Sequence, residues 1–365
     1  MTEDRTPDRH CPGCAMPVGP TDRFCEECGA ELAVRRASSP DPTKAAPASG
    51  TSCVSCGGED IDADRFCMRC GVRQPAPRDR VELDLTSVAG VSDRGLRHHR
   101  NEDAMALRRV RPVDGADDVV IVVCDGVSTS DRPDEAAQAA ADSAADLLAR
   151  ACDDGDDLAV ATRSAVELAA SVVAGLAGSG PLEHAPACTY VSAVVTERTV
   201  TVGWVGDSRA YWLADPAGPT PSTCLTSDDS WAARMIATGR LGTDEAYADD
   251  RSHALVAWLG ADAEEITPHV RTVEPGGPGV VLLCSDGLWN YAWDADRLAE
   301  QALPGALATP LAAARALTGF ALAAGGHDNV TVVLVPFPPT RTEDGPGGDP
   351  DTRDAEPASA RSSRS

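Results

Sequence analysis

Two carboxylates in this chain stand where an apolar strand should end. VVIVVCDG (119–126) runs into Asp125 and Gly126, and VVLLCSDG (280–287) runs into Asp286 and Gly287. A charge at the rim of a hydrophobic core costs free energy unless something pairs with it. Two such carboxylates could share a cation. Three more lie in glycine-flanked turns or at abrupt strand ends: Asp103 in RNEDAM, Asp207 in WVGDSRAY and Asp328 in GGHDNVTV. Any one alone reads as a turn residue, because Asp-Gly and Asp-Asn are common turn formers. Five in this order, each beside an apolar run, read better as a set of oxygen ligands. Hard carboxylates without clustered histidines favour Mg2+ or Mn2+ over zinc.

A second kind of cation chemistry lies upstream. Eight of the 13 cysteines fall in the first 70 residues, as Cys11, Cys14, Cys25 and Cys28 and again, 42 positions on, as Cys53, Cys56, Cys67 and Cys70. Each set reads CxxC, ten residues, CxxC, which lets two turns complete a tetrahedral site of four thiolates. Glycines after the second cysteine of a pair (Gly29, Gly57, Gly71) suit a turn that aims backbone N–H groups at sulfur. Disulfides are the alternative, but the N-terminal MTEDRTPDRH lacks the apolar segment of a secretion signal, and iron is a further chemical option. Two zinc ribbons, each with one structural Zn2+, is the reading adopted. A closed four-cysteine site leaves no open position for catalysis, so the ribbons are expected to dock a protein.

These groups need scaffolds, and composition limits which. The chain has 365 residues and a net charge of −25, unevenly placed: residues 1–80 hold 11 basic and 13 acidic side chains, whereas 81–340 hold 17 and 38. Nucleic acid is a poor partner for so acidic a domain. No apolar stretch approaches the ~18 residues of a membrane span, so a cytoplasmic monomer is expected. Lys44 is the only lysine, which leaves none for catalysis in the main domain. The expected divisions are 8–32 (first ribbon), 33–50 (flexible linker), 51–73 (second ribbon), 74–84 (linker), 85–336 (main domain) and 337–365 (disordered tail). Within the main domain, helices are expected at 133–152, 157–178, near 294–303 and at 309–323. Strand-like runs occupy 188–196, 199–213 (alternating on a period of two) and 330–336. Neighbouring strands joined by short turns favour antiparallel sheets with helices packed outside, an α+β fold.

Taken together, SDRGLRHHRNEDA, VVCDG, VGDSRAYWL, LTSDDSW, LLCSDGLW and GGHDNVTVVLV resemble, in the right order over roughly 86–336, the PPM or type 2C family of metal-dependent serine/threonine protein phosphatases. The resemblance implies a four-layer αββα sandwich with metals at one edge. It implies that Asp125 bridges two Mn2+ or Mg2+ ions, that the Gly126 carbonyl, Asp286 and Asp328 are further ligands, and that Glu102 and Asp103 hold metal-bound waters. Asp207 matches a third, weaker metal site, and Asn329 orients its neighbour. The implied reaction is hydrolysis of phosphoserine and phosphothreonine in proteins by water activated between two metals. Implied partners are phosphoproteins, including a Ser/Thr protein kinase and its targets. Cys124 and Cys284, in apolar runs, are then core thiols rather than nucleophiles.

Three departures from the pattern bear on function. An arginine five residues before the Asp103 position clamps phosphate in most relatives; here that residue is His98, flanked by Arg97 and Arg100, and one of the three is expected to contact phosphate. Val127 stands where some relatives carry a proton-donating histidine. Asp229 stands where histidine is common, before a flap expected at 230–260. The alternative to an active enzyme is a degenerate phosphatase fold used as a protein-binding scaffold. Retention of Asp125, Asp286 and Asp328 favours catalysis.

Overall fold

In the computed structural model, residues 76–340 are described apart from 112–115, 179–181, 216–217, 219 and 264–265, together with parts of 53–74 and short strand backbones at 9–10, 17–18 and 35–38. Cys11, Cys14, Cys25, Cys28 and the tail from 341 lie outside the described residues.

Two six-stranded antiparallel sheets form the middle of the molecule. The strands in chain order are β1 (Arg35–Ser38), β2 (Arg80–Asp84), β3 (Ala89–Asp93), β4 (Ala104–Val110), β5 (Asp118–Cys124), β6 (Tyr190–Val195), β7 (Val200–Val205), β8 (Arg209–Ala214), β9 (His269–Val273), β10 (Gly279–Cys284) and β11 (Val330–Phe337). One sheet has the order β9-β7-β6-β5-β4-β1. The other begins with the short strand Thr223–Cys224 and continues β8-β10-β11-β3-β2. Helices α1 (Pro133–Asp154) and α2 (Leu158–Ala174) cover the first sheet, while α6 (Ala295–Ala306) and α7 (Pro310–Ala323) cover the second; three short helices, α3 (Trp231–Ala237), α4 (Thr243–Tyr247) and α5 (Asp286–Trp289), lie between.

Side-chain alternation along the strands explains the layering. In β5, Val120, Val122 and Cys124 pack against the helices, whereas Val119, Ile121 and Val123 point into the space between the sheets. Both faces are apolar because both are covered. The helices match: Ala136, Ala137, Ala140, Ala141, Ala144, Ala145 and Leu148 of α1 are fully buried, a 3.6-residue stripe of small side chains that brings the helix close to the sheet. Pro133 opens this helix with Asp134 and Glu135 in its first turn, and Gly155, with φ of 72°, ends it.

Four expectations change. The period-two run 199–213 is not one strand: it breaks at Gly206 (φ 102°), and β7 and β8 belong to different sheets. Residues 80–84, inside the expected 74–84 linker, form edge strand β2 on β3, and residues 35–38, inside the expected 33–50 linker, pair with β4. Arg-rich polar segments can still serve as sheet edges, where one side of the strand needs no partner. The last strand extends to Phe337, whose buried ring meets Trp212 edge-on at 5.4 Å, so the core ends one residue beyond the expected boundary.

Candidate active site

Antiparallel register gathers the five carboxylates. Ala104 at the start of β4 pairs with Cys124 at the end of β5, so Asp103 and Asp125 leave the sheet side by side. In the other sheet Cys284 pairs with both Arg209 and Val332, which brings Asp286, Asp207 and Asp328 to the same end. Five strand ends, drawn from segments up to 225 positions apart, therefore form one acidic rim.

Packing explains the glycine after each strand-end aspartate. A Cβ on Gly126 would lie 2.7 Å from the Pro133 carbonyl oxygen and 2.8 Å from that of Glu102; on Gly287 it would lie 1.8 Å from the Asn329 carbonyl oxygen. Neither position tolerates a side chain, because the backbone of a neighbouring loop passes directly over it.

Asp103 joins the two sheets. The hydroxyls of Ser285 and Thr331 donate to its Oδ2 at 2.8 and 2.7 Å, and Oδ1 is buried without a hydrogen-bond partner. Glu102 is held at 2.7 Å by Arg100 through one oxygen and at 2.7 Å by the Ser128 hydroxyl through the other. Asn329, expected to orient its neighbour, spends its side chain on the 94–102 loop: its Oδ1 accepts from the Glu102 N–H at 2.7 Å, and its Nδ2 donates to the carbonyls of Arg94 (2.8 Å) and Arg100 (3.1 Å). One amide thus ties the 94–102 loop to the start of β11. Ser285, Thr331 and Ser128 escaped the sequence reading; the only signal was a hydroxyl residue set within or beside an apolar run.

Crowding leaves its mark on the carboxyls. Burial, reinforced by repulsion from Asp103, Asp286, Asp328 and Asp207, pushes Asp125 well above the usual carboxylate range, and burial with repulsion from Asp207, Asp328 and Asp103 does the same to Asp286. Asp103 is pushed up to about 6 by burial, against the pull of the Thr331 and Ser285 hydroxyls. Burial and Asp228 push Asp207 up to about 7, with Arg209 opposing. Asp286 Oδ1, like Asp103 Oδ1, is buried with no hydrogen-bond partner. Unpartnered hard oxygens and mutual repulsion fit a divalent cation of the Mg2+ or Mn2+ type.

Of the residues expected to meet phosphate, His98 places Nε2 3.1 Å from Asp328 Oδ1. Arg97 is exposed, with no side-chain partner among the described residues. Arg100 is engaged with Glu102 and lies 4.0 Å from Asp134. Asp229 accepts from the Gly206 N–H at 3.0 Å and sits 3.0 Å from His269 Nε2, whose ring stacks on Trp204; it braces the turn that carries Asp207. Cys124 and Cys284 are fully buried, and burial pushes both thiols up, as befits core residues.

The second cysteine set converges more tightly than the carboxylates. Among the described residues, Cys53, Cys56, Cys67 and Cys70 are the only group of three or more such ligands whose atoms all lie within 4.8 Å of one another. Cys53 and Cys70 sulfurs are 3.6 Å apart, as are those of Cys56 and Cys67. That is far beyond the ~2.05 Å of a disulfide and close to the ~3.8 Å edge of a tetrahedron with zinc–sulfur bonds of about 2.3 Å. Gly57 and Gly71 have φ of 69° and 72°, but their N–H groups donate to the carbonyls of Cys53 and Cys67 rather than to sulfur.

Residues 96–306, more than half of the chain, match the family described as protein phosphatase 2C. The chain belongs to the protein phosphatase 2C family. Residues 11–71 match the double zinc ribbon. Within this phosphatase family, the chain is 29% identical over 259 residues to the serine/threonine protein phosphatase PstP of Mycobacterium tuberculosis, covering 70% of this chain and 45% of PstP. It is 31% identical over 148 residues to the serine/threonine phosphatase Stp of Listeria innocua, covering 40% of this chain and 55% of Stp. The chain thus spans about half the length of the curated relatives it matches. Among solved structures, the PPM Ser-Thr phosphatase MsPP of Mycobacterium smegmatis is 28% identical with a TM-score of 0.54, over 69% of this chain and 99% of that one. The PstP catalytic domain in complex with two manganese ions is 25% identical with a TM-score of 0.53, over 68% of this chain and 97% of that one. The αββα layering is the fold of this family.

Proposed function

We propose that the chain hydrolyses phosphoserine and phosphothreonine in proteins, using two divalent cations, Mn2+ or Mg2+, at the carboxylate rim. The observation that supports this most directly is the meeting of Asp125, Asp286 and Asp328, with Asp103, Glu102 and Asp207 beside them, at one edge of a phosphatase 2C fold. Asp125, the Gly126 carbonyl, Asp286 and Asp328 would hold the cations, with Asp207 available to a third. When bound, the cations supply Lewis-acid charge that activates water and neutralises phosphoryl oxygens. The chain's own residues do the rest. Ser285 and Thr331 fix Asp103, Arg100 and Ser128 fix Glu102, and Asn329 holds the 94–102 loop that carries His98 and Arg97. No side chain is asked to form a covalent intermediate.

The four-cysteine groups fit structural zinc, one ion per ribbon, and the ribbons serve as docking modules in this reading. Phosphoproteins, among them a Ser/Thr protein kinase and its targets, are the proposed substrates. The proposed compartment is the cytoplasm, whose reducing conditions keep thiolates available to zinc; among the described residues no helix is long and apolar enough to cross a membrane. The test is hydrolysis of an aryl phosphate and a phosphothreonine peptide, with and without Mn2+, by wild type and Asp125→Ala. Manganese-dependent turnover falling more than about a hundredfold in the variant is expected, beyond the ten- to hundredfold typical of outer-shell partners. A folded, metal-supplied protein without turnover would instead favour a protein-binding scaffold.

A further inference from the structure

Beside the rim lies a cavity of about 410 Å³ that the reaction itself does not use. Its walls come from two segments and from Arg209 of β8. The flap contributes Asp244, Tyr247 and His253; the segment after Asp286 contributes Trp289, Asn290 and Trp293. The second wall is tied to the catalytic edge. Asn290 Nδ2 donates to Asp286 Oδ2 at 3.2 Å, and Trp289 Nε1 donates to the Asp207 carbonyl at 2.9 Å. A group in this cavity therefore sits next to a phosphate held at the rim.

The lining is aromatic but not evenly available. Trp289 is buried, with the Arg209 guanidinium 3.7 Å from its ring centroid and the His253 ring at 5.9 Å. Trp293 is 68% exposed and Tyr247 41% exposed, the largest open aromatic faces near the site. Arg209 brings no spare charge, because Asp228 grips it twice, at 2.8 and 2.6 Å, and Tyr211 Oη accepts from it at 3.2 Å. Asp244, by contrast, is exposed and has no side-chain partner among the described residues. Two open aromatic faces and an unpaired carboxylate suit a cation on a long apolar stem, which can stack and pair at once. The domain's excess of acidic residues adds a field of the same sign.

Resting on the phosphatase reading, we propose that this cavity is a specificity subsite for an arginine or lysine side chain of the substrate, one or two residues from the phosphorylated one. An arginine stem spans about two residues of extended chain, so a neighbour of the phosphoresidue can reach it. Trp293 and Tyr247 would sandwich the cation and Asp244 would pair with it.

The experiment is a set of phosphothreonine peptides carrying Arg, Ala, Leu or Glu at each of the three positions on either side, assayed with the manganese-loaded full chain. An aryl phosphate, too small to reach the cavity, serves as the internal control. At one position kcat/KM for the arginine peptide should exceed that for alanine by about five- to tenfold, chiefly through KM. Trp293→Ala and Tyr247→Ala should each erase that preference while leaving aryl phosphate turnover within about twofold. Asp244→Asn should halve the preference or more, and salt should weaken it. Equal rates for arginine and alanine at every position, or an arginine preference that survives both aromatic variants, would overturn the subsite while aryl phosphate turnover keeps the phosphatase reading intact. A preference for leucine over arginine would overturn the cationic assignment. Absence of turnover on every substrate would overturn both readings together.

Discussion

The chain carries two groups ready for cations, and they are built in opposite ways. Cys53, Cys56, Cys67 and Cys70 come from 18 consecutive residues on two tight turns, with the sulfurs themselves at the centre of the small fold. The carboxylate rim draws on five segments, and the bonds that shape it join residues 182, 227 and 228 positions apart. Few other buried side chains among the described residues hold the ribbon together. The rim instead rests on a large apolar sandwich that can bear the cost of crowding carboxylates. A local site and its fold are one object; a non-local site is a load placed on a fold that stands without it.

The largest expected effect separates the two. Structural zinc in such peptides binds with about 10–16 kcal/mol, so removing it should take the ribbon's structure with it. Cys53→Ser is expected to release one zinc per chain and to open Cys56, Cys67 and Cys70 to alkylation, while hydrolysis of a small aryl phosphate changes less than about twofold. Magnesium or manganese removal should do the reverse, abolishing turnover while the circular dichroism spectrum persists. Protection of the three cysteines in the metal-free ribbon would break the comparison.

Asn329 tests whether the rim depends on its framework. Asn329→Ala deletes three hydrogen bonds and strands the buried Glu102 N–H, which should cost about 2–4 kcal/mol of stability. Because the same amide sets the 94–102 loop, manganese affinity should fall roughly ten- to hundredfold. Calorimetry and metal titration read the two effects separately. A stability loss with unchanged metal affinity would mean that the loop does not shape the rim.

These contrasts also explain what the sequence could tell. The cysteine spacing is a local pattern, and the second set converges where the pattern places it. The strand-end aspartates were visible because charge interrupts apolar runs, and helix α1 was visible because its alanines recur on a helical period. Other features carry no local mark. Fully buried strands in a four-layer sandwich are apolar on both faces, so the run 199–213 looks continuous although Gly206 sends its two halves into different sheets; a Cβ there would lie 2.8 Å from Thr189 Cβ, a contact known only after folding. Edge strand β2 hid in a polar linker because an edge needs little hydrophobicity. Ser285 and Thr331 looked like ordinary strand-end and strand residues until register set them against Asp103, about 180 and 230 positions away.

A smaller effect concerns the replaced arginine. His98 sits within 3.1 Å of Asp328 and Arg97 points to solvent, whereas Arg100 is spent on Glu102. His98→Ala and Arg97→Ala should each raise KM for a phosphopeptide about three- to tenfold, the worth of one charge-assisted hydrogen bond. Arg100→Ala should act mainly through kcat, by releasing Glu102. If none of the three raises KM, phosphate recognition lies with the cations alone.

The smallest effect uses the far end of the strand that delivers Asp125. Asp118 begins β5 as Asp125 follows its end, and burial with repulsion from Asp117 pushes its carboxyl up to about 6. Asp117 is gripped by Arg109 and Arg111 at 3.3 and 3.5 Å, which leaves Asp118 a crowded carboxylate with no cation site around it among the described residues. Its folded pKa lies above its unfolded value near 3.9, so the folded state holds the extra proton. The resulting stability is complete below about pH 4 and is lost as pH rises through about 6. At pH 8 the ionised group is a net cost, discounted for partial exposure to about 1 kcal/mol. Asp118→Asn should therefore raise Tm by a few degrees or less at pH 8 and leave it level or slightly lower at pH 4. The same substitution at Asp125 should also relieve repulsion in metal-free protein, but it should forfeit the stabilisation that added Mn2+ gives the wild type. Melting both variants with and without Mn2+ at pH 8 separates a carboxylate that is merely strained from one whose strain a cation is meant to relieve.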